Sequence, residues 1–168
     1  GKDVQGYLAT PAHAEGAPAI VVIQEWWGLN DQIRGVADRL ARCGYLALVP
    51  DLYRGKSTVE QEEAHHLMEG LNFADAATQD IAGAVAFLRQ RAGKVDITGF
   101  CMGGALTLLA MGQGVAVDAG AAWYGMPPLE YIDAGKITAP VLGHWATQDE
   151  FFAIDNVDKL EAKLKEAG

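Results

Sequence analysis

Five short apolar runs, separated by segments of helical periodicity, constrain the fold of this chain more than any other feature. Residues 19–24 read Ala-Ile-Val-Val-Ile-Gln, and residues 45–49 read Tyr-Leu-Ala-Leu-Val. Continuous aliphatic runs of this length suit strands that are buried on both faces, as in a parallel sheet. The same pattern predicts further strands over residues 95–99, 117–123 and 140–145. A weaker alternation predicts an edge strand over residues 4–9.

Helical segments lie between the predicted strands. The first begins after Asn30, a suitable N-cap, and ends at Gly44. The others are predicted over residues 59–71, 75–91, 102–111 and 155–167. Strand–helix alternation of this kind predicts an α/β fold, a mostly parallel sheet with helices on both faces, whose function lies at the carboxyl ends of the strands. No linker or repeat interrupts the pattern, so residues 1–168 are expected to form a single domain.

The charge balance argues against several classes of partner. The chain has 13 Lys and Arg against 22 Asp and Glu, a formal net charge of −9. Such a surface repels phosphate backbones and anionic lipid, so we expect no nucleic acid and no membrane partner. No apolar run approaches the roughly 20 residues that cross a bilayer, and no signal-peptide pattern opens the sequence. Two cysteines make neither a disulfide framework nor a zinc site, so we expect a cytoplasmic protein without metal or cofactor.

The segment Gly99-Phe100-Cys101-Met102-Gly103-Gly104 lies where a predicted strand ends and a predicted helix begins. It matches the nucleophile elbow G-x-S-x-G, with Cys in place of Ser. A turn this sharp leaves no room for side chains two residues before and after the nucleophile. The helix N-terminus is expected to favour the thiolate of Cys101, and the Met102 N–H is a candidate donor to an oxyanion. The alternative is a structural cysteine in a tight turn.

Two acidic residues follow other predicted strands. Glu25 follows residues 19–24, where a half-buried carboxylate is costly without a partner; the alternative is an exposed strand end. In the elbow architecture the loop after this strand supplies a second oxyanion N–H, for which Trp26 is the candidate, while Trp27 suits a pocket wall. Asp149 follows residues 140–145 and comes after Cys101, as a triad acid should; the alternative is a turn-forming Asp.

The histidine that would complete a triad is missing from the expected place. Chain order puts the base after the acid, whereas His13, His65, His66 and His144 all precede Asp149. His144 lies inside a predicted strand and is expected to pack beside the site. The sequence is therefore expected to be truncated before the last strand, with the histidine loop beyond Gly168, and to be incomplete at its N-terminus as well.

Five stretches of this sequence resemble the dienelactone hydrolase family (carboxymethylenebutenolidases) of α/β-hydrolases, in the family's order and over nearly the whole chain. They are IVVIQEWWGLN, GYLALVPDLYRG, DITGFCMGGALTL, AAWYG and HWATQDEFF. The resemblance implies the α/β-hydrolase fold and the following roles. Cys101 is implied as the nucleophile and Asp149 as the triad acid. Glu25 matches the family Glu that lies near the resting thiol and helps to form the thiolate. The remaining implied roles are Trp26 and Met102 as oxyanion donors, Tyr124 and Tyr53 as pocket residues, and His144 as a histidine that is not the base.

The implied activity is hydrolysis of a small ester or lactone, without a cofactor, by a monomer or weak homo-oligomer. One departure bears on the substrate, because residues 58–65 hold three Glu and no Arg or Lys where the family places an arginine for the substrate carboxylate. We therefore expect weak processing of dienelactone. Two other functions stay open: a non-catalytic protein of the α/β-hydrolase fold, and a thiol-based redox or binding protein.

Overall fold

The computed structural model describes residues 3–168, and a six-stranded sheet runs through its centre. The strands are β1 (Gly6–Ala9), β2 (Ala19–Ile23), β3 (Leu46–Pro50), β4 (Val95–Phe100), β5 (Gly120–Trp123) and β6 (Val141–His144). Their order across the sheet is β1-β3-β2-β4-β5-β6. Strands β2 to β6 are parallel and β1 pairs antiparallel with β3, so the predicted parallel sheet and its edge strand are confirmed.

Helices cover both faces of the sheet. They are α1 (Asp31–Arg42), α2 (Gln61–Glu69), α3 (Phe73–Asp75), α4 (Ala82–Arg89), α5 (Met102–Gly112) and α6 (Ile154–Ala167). The side chain of Asn30 caps α1 by accepting a hydrogen bond from the Ile33 N–H at 3.2 Å, as predicted. Helix α1 packs against β1 to β3 on one face, whereas α4 and α5 pack on the other. The α/β-hydrolase architecture predicted from the sequence is therefore present.

The helix predicted over residues 75–91 is not one regular α-helix. Between α3 and α4 the chain forms a π-helical segment, Ala76–Ile81. Its buried positions, continued into α4, recur every four residues, as Ala76, Ala77, Asp80, Ile81, Ala84, Val85 and Leu88. A regular α-helix with 3.6 residues per turn would rotate such a set away from the core, and the wider π turn corrects the drift. The spacing of Ile81, Val85 and Leu88 alone fits either geometry.

Strand β5 is shorter than predicted, since residues 117–119 lie outside it. There Asp118 accepts hydrogen bonds from the Val95 N–H, from Arg89 and from Lys94. These donors lower the pKa of Asp118 to about 2, the Val95 N–H being the largest cause. The residue therefore ties the start of β4 to the end of α4 instead of extending the sheet.

Strand β6 lies at the edge of the sheet, with β5 as its partner among the residues that the structure describes. Phe100, Trp123 and His144 stand side by side on three neighbouring strands, and the Trp123 and His144 rings stack with centroids 4.0 Å apart. The next outward residue on β6, Leu142, is 57 % exposed. Among the described residues, an apolar and aromatic surface thus remains open at this flank.

Candidate active site

The segment after β4 has the geometry of a nucleophile elbow. Cys101 adopts φ 54° and ψ −116°, a conformation that non-glycine residues rarely occupy, so its backbone is strained. A Cβ on Gly103 would lie 2.5 Å and 2.6 Å from the carbonyl oxygens of Ile23 and Gln24, and one on Gly99 would overlap the Gly103 carbonyl. Close backbone approach, and not flexibility, therefore requires these glycines.

Replacing glycine by alanine usually stabilises a helix, but the close packing around Gly103 should reverse that effect on stability. Gly103→Ala is expected to lower the free energy of unfolding by about 2–4 kcal/mol, because its Cβ meets rigid backbone of β2. Gly83→Ala is the matched control: Gly83 lies in α4, where an added Cβ would have no neighbouring atom within 4 Å, and the substitution should stabilise the protein by up to about 1 kcal/mol. Urea unfolding of both variants measures the difference. Equal stability changes would contradict the close approach of α5 to β2.

Cys101 is half-buried, and its surroundings favour the protonated thiol over the thiolate. Burial raises the pKa of Cys101, and the negative charges of Glu25 and Asp149 raise it further. The Met102 N–H, which donates a hydrogen bond to the sulfur, lowers the pKa but does not outweigh them. The N–H at the helix N-terminus therefore favours the thiolate as expected, but desolvation and two carboxylates exceed its contribution, so the thiol stays protonated in this state.

Glu25 follows the fully buried strand β2 and is partly exposed. Its Oε1 accepts a hydrogen bond from the Tyr124 hydroxyl at 2.9 Å, which supplies the partner that a half-buried carboxylate needs. Together with Arg39 and Phe100, these two residues line a cavity of about 120 Å³ against α1. The neighbouring Gln24 is fully buried, and its Oε1 accepts from the Leu52 N–H at 3.2 Å, which ties the β2 tip to the loop after β3.

Asp149 lies in the turn after β6 and is half-buried. Its Oδ1 accepts hydrogen bonds from the N–H groups of Phe151 and Phe152, at 2.8 Å and 3.1 Å. The effect of its charge on the Cys101 thiol places it in electrostatic reach of the sulfur. Glu25, Cys101 and Asp149 thus all follow the carboxyl ends of strands, and both carboxylates act electrostatically on the thiol, although 124 positions separate the first residue from the last.

The aromatic residues predicted for the oxyanion loop and the pocket differ in exposure. Trp26 and Trp27 are half-buried and meet edge to face, with ring centroids 5.2 Å apart. Trp26 also lines an open hollow of about 440 Å³ with Gln61, Glu62 and His65. Tyr124 is 38 % exposed.

Tyr53 is more deeply buried than a pocket wall requires. It is 6 % exposed, and its hydroxyl donates to the Met102 Sδ at 3.3 Å. Burial, and secondarily the charge of Cys101, raise the pKa of Tyr53, so the phenol stays protonated beside the thiol. The contact fixes the side chain of Met102, whose N–H faces the sulfur.

Two histidines of the described chain have other partners than the thiol. The His144 ring stacks on Trp123, and His65 is 3.5 Å from Glu69 on the exposed face of α2. Within residues 3–168 no histidine accompanies Glu25 and Asp149 among the groups that perturb the thiol. Among the same residues no group of three or more His, Cys, Asp or Glu side chains could hold a metal ion, and no helix is both long and apolar enough to cross a membrane.

Sequence reasoning missed the contact between Tyr124 and Glu25 and the strained backbone of Tyr124, with φ 38°. The only signal for them is the Tyr-Gly pair that follows β5. A Cβ on Gly125 would overlap the Cys101 carbonyl, so this pair lies directly against the elbow.

Comparison with known proteins gives independent support for the family resemblance of the sequence. The model of the dienelactone hydrolase family matches residues 4–168. The chain is 35% identical to Protein usf of Aquifex pyrophilus over 178 residues, covering 100% of this chain and 76% of the relative. It is 34% identical to a "putative carboxymethylenebutenolidase" of Methylorubrum extorquens, covering 98% of this chain and 62% of that protein. The chain thus spans about three fifths to three quarters of these relatives.

Among solved structures, the crystal structure of a "putative dienelactone hydrolase" from Klebsiella pneumoniae superposes with a TM-score of 0.83 at 29% identity. The match covers 99% of this chain and 77% of that one. The fold similarity therefore extends over the whole described sheet and both of its helical layers.

Proposed function

This chain belongs to the dienelactone hydrolase family of α/β-hydrolases, and on that basis we propose that it hydrolyses small esters or lactones by acyl transfer to Cys101. The observation that carries the proposal is the strained Cys101 at the head of α5, with the Met102 N–H facing its sulfur. A nucleophile held in this way lies beside a donor for the oxyanion that forms as it attacks.

The proposed reaction has two halves. The Cys101 thiolate attacks the carbonyl carbon, and the oxyanion accepts hydrogen bonds from the Met102 and Trp26 N–H groups, each worth about 3 kcal/mol of barrier. The alcohol leaves with a proton, a thioester remains on Cys101, and water then hydrolyses it to the acid and the free thiol. Asp149 is proposed to orient the base, and Glu25 to govern the ionisation of the thiol. No step requires a cofactor or a metal.

The proposed reaction needs a base that takes the proton of Cys101. We propose that this base is a histidine, the usual base of the fold, although no histidine of the described residues is among the groups that perturb the thiol. The raised pKa of Cys101 makes such a base necessary, since most of the thiol is protonated at neutral pH. The raised pKa also argues against a peroxide-sensing role for Cys101, because such a role depends on a thiol whose pKa is lowered. A free nucleophilic cysteine suits a reducing compartment such as the cytoplasm.

The proposed substrate is a neutral ester or lactone. The hollow beside Trp26 is lined by Glu62, and Glu60 and Glu63 flank it in sequence. Arg54, in the loop after β3, is already engaged, because its Nη2 lies 2.9 Å from Asp80 Oδ1 and its Nη1 donates to the Asp51 carbonyl. A carboxylate-bearing substrate would therefore meet negative charge without a free cation at this hollow.

We expect kcat/KM for neutral aryl esters to exceed that for carboxylate-bearing dienelactone. Glu62→Arg should raise the ratio of the anionic to the neutral substrate by about 3- to 10-fold, because it reverses a charge that lines the hollow. Glu63→Arg is the matched control, since it makes the same charge change one residue away and outside the hollow. Measurements at two salt concentrations separate a local effect from the mean field. A strong preference of the unaltered protein for dienelactone would contradict the assignment and would turn attention to Arg39.

A further inference from the structure

Two hydrogen bonds join three strand tips of the candidate site. The Tyr124 hydroxyl, after β5, donates to Glu25 Oε1, after β2, at 2.9 Å and across 99 positions of sequence. The Cys101 N–H, after β4, donates to the Trp123 carbonyl at 2.9 Å. The phenol, the carboxylate and the thiol thus belong to one connected arrangement.

The backbone of Tyr124 is held in a conformation that a tyrosine rarely adopts, with φ 38°. Two neighbours enforce it. The Tyr124 N–H donates to the His144 carbonyl at 2.7 Å, and Gly125 lies so close to the Cys101 carbonyl that no Cβ fits between them. Strained conformations persist where the surroundings over-determine them, and they cluster at functional sites. Here the strain aims the phenol at Glu25.

The charged and titratable groups around the thiol come from several elements. Glu25 after β2 and Asp149 after β6 disfavour its ionisation, whereas the Met102 N–H of α5 favours it. Tyr53 after β3 and Tyr124 after β5 couple to the same sulfur, and burial and the Glu25 carboxylate raise the pKa of Tyr124, which keeps it a proton donor. Farther out, Arg39 of α1 shares the small cavity with Glu25 and Tyr124, and Glu62 and His65 of α2 line the hollow beside Trp26.

We propose that Tyr124 is a positioning residue that holds the Glu25 carboxylate close to Cys101 and so keeps the thiol protonated while no ester occupies the site. The inference rests on the proposed role of Cys101 as the reacting thiol. It adds a residue that does not react itself, acts through Glu25, and owes its orientation to a strained turn.

The test measures the pH dependence of Cys101 alkylation by iodoacetamide. The exposed Cys43 is first replaced by serine, so that a single thiol reacts. Tyr124→Phe removes only the hydroxyl; it should release the carboxylate to solvent and lower the inflection by about half a pH unit, which is about threefold faster alkylation at neutral pH. Tyr131→Phe, at a tyrosine that is 59 % exposed and outside the site, is the matched control and should leave the inflection unchanged.

A double-mutant comparison separates action through Glu25 from a general structural effect. Glu25→Gln should lower the inflection by itself, and adding Tyr124→Phe to it should then produce no further shift. An unchanged or raised inflection in Tyr124→Phe, or an equal shift in the Glu25→Gln background, would overturn the positioning role. Neither readout needs ester turnover, so a protein that shows these shifts but has no Cys101-dependent turnover even with added imidazole would refute the proposed function and leave this inference standing.

Discussion

Residues 1–168 alone are expected to turn over p-nitrophenyl acetate at least about 10³-fold more slowly than a form of the protein that supplies a histidine base, since removal of one triad member usually costs that much or more. The physical reason is the protonation state of the nucleophile. Burial, Glu25 and Asp149 raise the pKa of Cys101, so little thiolate exists at neutral pH without a base to take the proton. The His144 ring stacks on Trp123, and no histidine is among the groups that perturb the thiol.

The measurement is kcat/KM of the 168-residue chain, with Cys101→Ala as the blank. Free imidazole added to the solution should restore part of the Cys101-dependent rate, because it can act as the missing base, and the blank removes its own reaction with the ester. Comparable Cys101-dependent turnover with and without imidazole would contradict the account. Alanine variants of His65, His66 and His144 would then identify the base within the chain.

Cys101→Ala is expected to lower ester turnover by about 10³-fold or more when a base such as added imidazole is present. The loss should result from removal of the nucleophile and not from unfolding, since alanine keeps the Cβ and has the same backbone strain at φ 54°. Thermal unfolding of the variant should therefore match that of the unaltered protein.

Cys43→Ala is the matched control for this second prediction. Cys43 is exposed at the end of α1, outside the candidate site, so its replacement should leave turnover unchanged. Retention of turnover in Cys101→Ala, or its loss in Cys43→Ala, would mean that another group performs the attack.

The fold could be predicted because its signals are local. Buried runs mark β2 and β3, Asn30 marks the start of α1, and the glycines around Cys101 mark the elbow. The π-helical segment Ala76–Ile81 could not be predicted, because the apolar spacing fits two helical geometries and only packing chooses between them. The early end of β5 was missed for a similar reason, since Asp118 takes its donors from β4 and α4.

The candidate site was only partly predictable, because its electrostatics depend on residues far apart in sequence. Chain order and motif pointed to Glu25, Cys101 and Asp149. The direction of the Cys101 pKa shift depends on burial and on two distant carboxylates, which no local pattern encodes. The hydrogen bond from Tyr124 to Glu25 depends on a turn held by His144 and by the Cys101 backbone.

The most direct test of the central claim, that Cys101 is the nucleophile, is to trap the acyl-enzyme. The protein is mixed with p-nitrophenyl acetate at about pH 9, where part of the Cys101 thiol is ionised although its pKa is raised. It is then quenched with acid and mapped by peptide mass spectrometry. The account predicts an acetyl group on the peptide that contains Cys101, with none there in Cys101→Ala. Acetylation confined to Cys43 or to lysines, with Cys101 unmodified, would contradict it.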